Sequence, residues 1–164
     1  MPETLLIRYG AMGEIARFAS ELETTPGSVV VVRSGRGEEL GTIVGNAQPG
    51  ESHDGGGPDV LRIATNEDLD VAARSRTGCE TEFAPWQDRI REWNVNLELI
   101  DLERTFDGKL ILYVLNDRGP ETTKLALRAA AAGFGVIEVQ PVGPEGLIQA
   151  TGGGGGCGNC NHRK

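Results

Sequence analysis

The chain has 164 residues, 38% of them apolar, and a formal net charge of −8. That length suits one ordinary domain or two small subdomains. The acidic balance lacks the clustered Lys and Arg that direct nucleic-acid binding needs, and no apolar run approaches membrane-spanning length, so neither a nucleic acid nor a membrane is an expected partner.

The start, MPETLLIRYGAMGE, has neither the basic stretch nor the long apolar core of a secretory signal. Three cysteines with only one close pair are no disulfide framework. The expectation is a reduced, cytoplasmic protein.

The first section reads as β. TLLIRY and EIARFA flank a Gly-Ala-Met-Gly turn, and SVVVVRS and ELGTIVG flank GRGE. Short apolar runs between glycines are hairpin signals. Val29 to Val32 predicts a strand buried on both faces. Four such strands make a small antiparallel β-barrel-like sheet over residues 1–45. Gly35, Gly37 and Gly41 do not have nucleotide-loop spacing and no helix follows them, so this stretch is a turn. Residues 46–59, rich in Gly, Pro, Asn and Asp, predict a flexible loop. Within it, His53 and Asp54 are expected to be solvated.

VLRIA is a short strand candidate. Thr65 then caps a helix, with Glu67 and Asp68 at the positive end of its dipole. Leu69, Ala72, Cys79, Phe83, Trp86, Ile90 and Trp93 follow helical spacing and predict one buried stripe. Pro85 inside the pattern predicts a kink or break. Arg74 lies opposite the stripe and Arg76 at its margin, so the arginines form no basic groove. Cys79 falls on the stripe, which predicts a buried, inert thiol.

LELIDLERTFDGKLILYVLN then predicts a hairpin turning at Asp107-Gly108, two residues that tolerate positive φ. LILYVL is apolar on both faces, like a central strand. DRGPETTKLALRAAAAG predicts a helix with Pro120 in its first turn and Gly133 as its stop. VIEVQPVG predicts the last strand. Residues 60–143 thus read β-α-β-β-α-β, the order of a ferredoxin-like unit, and the fold class is α+β. Residues 144–164 read as a flexible, Gly-rich tail.

The tail ends TGGGGGCGNCNHRK. Two residues between Cys157 and Cys160 let both sulfurs face one zinc ion or one iron of a cluster. His162 is a third candidate ligand. A fourth must come from Cys79, His53 or another chain, and the burial expected of Cys79 favours another chain. A polyglycine arm suits reaching across. The same dithiol could instead serve thiol–disulfide exchange, the reading of a thiol-redox carrier, or do no chemistry at all. Elsewhere no Ser-His-Asp set, P-loop, H-E-x-x-H or calcium loop is present. Asp101, Glu103 and Asp107 are expected to be solvated carboxylates beside the hairpin. No enzyme is expected.

Four stretches carry a resemblance: RGEELGTIVG (36–45), VLRIATNEDL (60–69), LELIDLERTFDGKLILYVLN (97–116) and GGCG (155–158). Through them the chain resembles the PSP (polymerase-suppressor protein) C-terminal domain family, in its bacterial YaaT/RicT-like branch of sporulation and RNA-processing factors. The resemblance implies a cytosolic, non-enzymatic adaptor that assembles a regulatory complex. It implies two small helical protein partners, iron–sulfur clusters in the complex, and a role in messenger-RNA maturation by an endoribonuclease and in developmental regulation. Relatives of this kind usually have further cysteines after the first Cys-Gly. This chain offers Cys157, Cys160 and His162, so an iron–sulfur or zinc site would be completed by another chain.

Overall fold

Two hairpins start the chain, as the glycine-bounded apolar runs predict. β1 (Glu3–Tyr9) pairs antiparallel with β2 (Glu14–Ser20), and β3 (Val29–Ser34) with β4 (Gly37–Asn46). The computed structural model describes residues 2–48, 58–115 and 119–148, which hold nine strands and two helices. The class is α+β, as expected.

Four strands do not close the first sheet by themselves. β5 (Asp59–Ile63) inserts between β2 and β3, and the ring runs β1-β2-β5-β3-β4 and back to β1. β5 meets β3 antiparallel and touches β2 in parallel at Ala19 and Asp59. Register shifts at Leu6/Ile7 and Val31/Val32 bend the strands, as bulges do where a sheet must curl. Leu5, Ile7, Phe18, Val30, Val32 and Ile43 fill the interior. Val31 faces the other way by strand alternation and is also buried, so the valine run is covered on both faces as predicted.

The interior is tight at Gly41. A Cβ there would run into Cγ2 of Ile7, well inside van der Waals contact. Gly41→Ala is therefore expected to lower stability by about 1–3 kcal/mol, the usual penalty for overpacking. An unchanged urea midpoint would show that the barrel yields at this point.

The second half has the predicted chain order but not the predicted sheet. β5, α1 (Asn66–Glu92), β6 (Glu98–Arg104), β7 (Leu110–Leu115), α2 (Pro120–Ala131) and β8 (Glu138–Gly143) follow as β-α-β-β-α-β. A ferredoxin-like unit would hold all four strands in one sheet. Here the first belongs to the barrel, because β3 still has an open edge after pairing with β4, and Val60 completes the barrel core. The second sheet is β6-β7-β8-β9, where β9 (Gly146–Leu147) is a two-residue strand the sequence does not announce.

α1 starts at the predicted cap. Thr65 Oγ1 accepts from the Asp68 N–H, and Asp68 accepts from the Thr65 N–H in return. Arg62 binds the same carboxylate from the barrel side, and these bonds hold Asp68 well below the usual carboxylate range. Cys79, Trp86 and Ile90 are buried, with Phe83 and Trp93 beside them, but Leu69, in the first turn, is exposed. The helix runs unbroken through Pro85, where a kink or break was expected. Pro85 and Thr81 both lie on the exposed face, so the carbonyl that Pro85 cannot satisfy is open to water.

β7 is the central strand and is buried from Leu110 to Val114. Leu110, Leu112 and Val114 pack in the core shared with both helices, while Ile111 and Tyr113 alternate to the opposite face. Gly108 takes a positive φ of 85° in the β6–β7 turn, and Gly133 one of 90° after α2, both as their positions predict. Among the described residues, no helix is long and apolar enough to cross a membrane.

Candidate functional site: the polar clasp and the cleft beside it

The GRGE turn holds more than a reversal of direction. Register places Glu39 opposite Val32, on the interior side of the barrel, and Glu39 is 5% exposed. A carboxylate there needs partners, because stripping its water is costly. Ser34 Oγ donates to Glu39 Oε2 at 2.5 Å, and Arg36 Nε donates to the same oxygen at 3.1 Å. Arg36 Nη2 also pairs with Glu39 Oε1.

The same guanidinium reaches the second sheet. Arg36 Nη1 donates to the Tyr113 hydroxyl and lies 3.3 Å from Glu103 Oε2. Tyr113 donates to Glu103 at 2.6 Å, and the Ala11 N–H, from the β1–β2 turn, donates to Glu103 at 3.1 Å. Arg36 also lies over the Tyr9 ring, 5.4 Å from its centroid. Beside this cluster the Phe106 N–H donates to the Glu38 carbonyl at 2.7 Å, and the Glu38 N–H to Asp107 Oδ1 at 3.3 Å. Two glycines permit the approach. A Cβ on Gly10 would strike the Arg36 guanidinium, and one on Gly37 the Asp107 carboxylate.

The electrostatics follow from burial. Desolvation lifts the Glu39 carboxyl above its ordinary value, with Arg36 and Ser34 drawing it back. Burial works against the Arg36 charge too, but Glu39 and Glu103 overcome it and hold the guanidinium firmly protonated. Burial and then Glu103 push the Tyr113 phenol far up, so it serves as a neutral donor. The arrangement is a clasp between barrel and sheet.

Next to the clasp is a cleft of about 440 Å³ between α1 and the barrel, floored by β6. Ala72, Ser75 and Arg76 come from α1, Gly10, Ala11 and Leu40 from the barrel, and Asp101 to Arg104 from β6. Arg76 Nη1 donates to both Asp101 oxygens, at 3.0 and 3.2 Å, and to the Leu102 carbonyl at 3.2 Å. Asp101 also accepts from the Leu102 N–H at 2.8 Å. These bonds cover the open edge of β6, as charged side chains do at exposed strand edges. Arg104 Nη2 donates to Glu82 at 2.9 Å.

The sequence-based reading of Asp101 and Glu103 as solvated carboxylates is thus corrected. Both are bonded to named groups and only 23% and 19% exposed, whereas Asp107 is exposed, as expected, while accepting from the Glu38 N–H. Arg36 was missed as well. Its sequence signal is an arginine between two glycines with a glutamate three residues on, but Glu103 and Tyr113 are distant in the chain.

The sequence-predicted ligands lie elsewhere. Cys157, Cys160, His162, His53 and Asp54 fall outside the described residues. Cys79 is 3% exposed, and burial pushes its thiol pKa up, as expected of an inert core cysteine. Among the described residues no three His, Cys, Asp or Glu side chains are grouped to hold a metal ion. The described residues therefore do not supply the ligand set of an iron–sulfur or zinc site.

The chain is 28% identical over 156 residues to the Stage 0 sporulation protein YaaT of Bacillus subtilis (strain 168). The match covers 93% of this chain and 57% of that protein, so the chain spans little more than half the length of this curated relative. No family model matches the chain, so the PSP C-terminal domain has none behind it. No solved structure matches. Similarity along nearly its whole length sets the chain beside YaaT, and the YaaT/RicT-like resemblance read from its sequence is borne out.

Proposed function

We propose that this chain is a non-enzymatic, cytoplasmic adaptor in developmental regulation, one that assembles a complex acting in messenger-RNA processing. The observation that carries the reading is the likeness to a sporulation protein across 93% of the chain. The clasp supports it. Its ionisable groups bind one another across two subdomains, which suits a rigid scaffold better than a site that must hand protons to a substrate. In this reading Cys157, Cys160 and His162 lend ligands to an iron–sulfur cluster or zinc ion that another protein completes. Small helical proteins and an endoribonuclease are the partners that the family resemblance implies.

The test is anaerobic purification from native cytosol, with metal content and bound proteins measured in one eluate. The expected result is iron or zinc recovered together with partner proteins, and both lost in the Cys157→Ser/Cys160→Ser variant. A variant that keeps its partners, with no iron or zinc in either eluate, sinks the shared-metal reading. A reversible Cys157–Cys160 disulfide at cytosolic glutathione potential, with no metal, would favour the thiol carrier instead.

A further inference from the structure

The cleft holds two arginines whose hydrogen-bonding capacity is only partly used. A guanidinium carries five N–H donors in a fixed fork. Arg76 bonds Asp101 and Leu102 through Nη1 alone, and its Nε stands 3.8 Å from Glu80. Its Nη2 has no hydrogen-bond partner among the described residues. Arg104 uses Nη2 for Glu82 and reaches the Gly108 carbonyl with Nη1 at 3.5 Å, while its Nε has no partner among the described residues. Both flank Cys79 in the cleft wall, where each acts electrostatically on the thiol.

The existing ion pairs are easily exchanged. The Arg76 and Asp101 side chains are 49% and 23% exposed, and Arg104 and Glu82 are 36% and 39% exposed. Pairs this exposed are worth about 0–1 kcal/mol each. An incoming anion can therefore share or replace a carboxylate at little penalty, and it gains charge-assisted bonds from the donors not in use. The lining also includes Asp101 and the Glu39 and Glu103 carboxylates, the last two already engaged by Arg36. Leu40 and Phe106 offer carbon surface, and Gly10, Ala11 and Ala72 leave room. A volume of about 440 Å³ lies within the range of small-molecule sites.

We infer that this cleft binds a small molecule with one anionic group, a carboxylate or phosphate, held by Arg76 and Arg104, and with a flat or apolar body resting on Leu40 and Phe106. The inference goes beyond the adaptor reading and does not depend on the tail. A ligand seated there touches α1, β6 and the barrel at once, so it braces the two halves against each other.

The test is an amide NMR titration of the full chain with three probes: benzoate, adenosine monophosphate and inorganic phosphate. The expected result is saturable shifts at Ser75, Leu102 and Ala11 with benzoate or adenosine monophosphate. The Leu102 N–H is diagnostic, because an anion that draws Arg76 from Asp101 disturbs the bond between Asp101 and that N–H. Arg76→Gln/Arg104→Gln should weaken binding about tenfold or more. Ala72→Leu fills the cleft without touching a charge and should weaken it too, which keeps the test decisive if the double variant does not fold. The benzoate and adenosine monophosphate arms tell a carboxylate ligand from a phosphate one. The inference is overturned if no probe gives saturable shifts, if a folded Arg76→Gln/Arg104→Gln variant binds as the wild type does, or if inorganic phosphate binds as tightly as the larger probes.

Discussion

Trp86→Ala should lower the unfolding free energy by about 3–5 kcal/mol, the range for a large aromatic cut from a core. Trp86 is 1% exposed and belongs to the core cluster that also takes in Leu125 and Ala129 of α2. Its ring stands 6.2 Å from Trp93 in an edge-on arrangement and 4.8 Å from Phe134. Arg89 covers the outer side, 4.9 Å from Trp86 and 4.4 Å from Phe134. Removing the indole takes away the surface on which both aromatic neighbours and the arginine rest. Phe134 is already 42% exposed and cannot fill the hole without leaving its own contacts. Native domains are stable by about 5–15 kcal/mol, so the loss is a large share of the total. Trp86→Phe keeps part of the ring contact and should lose less. Urea unfolding followed by far-ultraviolet circular dichroism measures both. A loss under about 1 kcal/mol in Trp86→Ala would mean that this core is held mainly by other residues.

Local signals in this chain translate into structure where neighbours in sequence decide the outcome. Asp107-Gly108 turns a hairpin, Thr65 caps α1, and Pro120 and Gly133 bound α2. Each of these depends on backbone geometry within a few residues. VLRIA reads as a strand for the same reason, but its pattern does not say which sheet accepts it. That choice depends on β3, about thirty residues earlier, and on the open edge left after β3 pairs with β4. Leu69 fits the helical stripe by spacing but is exposed, and spacing alone does not say how far along the helix the covering sheet reaches. The clasp was illegible for the same physical reason. Arg36 and Glu39 are three residues apart, but Tyr113 is 77 residues from Arg36, and only the packed fold brings them together. Cys157, Cys160 and His162 stand in the opposite position. Their spacing is plain in the sequence, and what completes their site belongs to the proposal of a second chain.

Arg36→Met should destabilise the protein by about 3–5 kcal/mol at pH 7, because it leaves a buried charge without its counterion. Glu39 is 5% exposed, and Arg36 is the cation paired with it. Methionine fills comparable space beside Tyr9 but donates no hydrogen bond, so Ser34 becomes the remaining donor to Glu39. The pH dependence separates lost charge pairing from lost packing. Burial already raises the Glu39 carboxyl above its ordinary value, and Arg36 is foremost among the groups opposing that rise. A carboxyl raised in the folded state contributes stability that is full below its unfolded pKa and is lost as pH rises through the folded one. Removing Arg36 raises the folded value further and widens that window upward. The deficit of Arg36→Met relative to wild type should therefore be largest at pH 7 and shrink as pH falls to 4.5, the ordinary glutamate value, because the raised Glu39 carboxyl takes up its proton on the way down. Adding Glu39→Gln to Arg36→Met removes the charge and should recover part of the loss at pH 7 while changing little at low pH. Urea unfolding of the three proteins at both pH values provides the measurement. A deficit independent of pH and untouched by Glu39→Gln would make Arg36 a packing residue, and the clasp would then hold barrel and sheet together by shape alone.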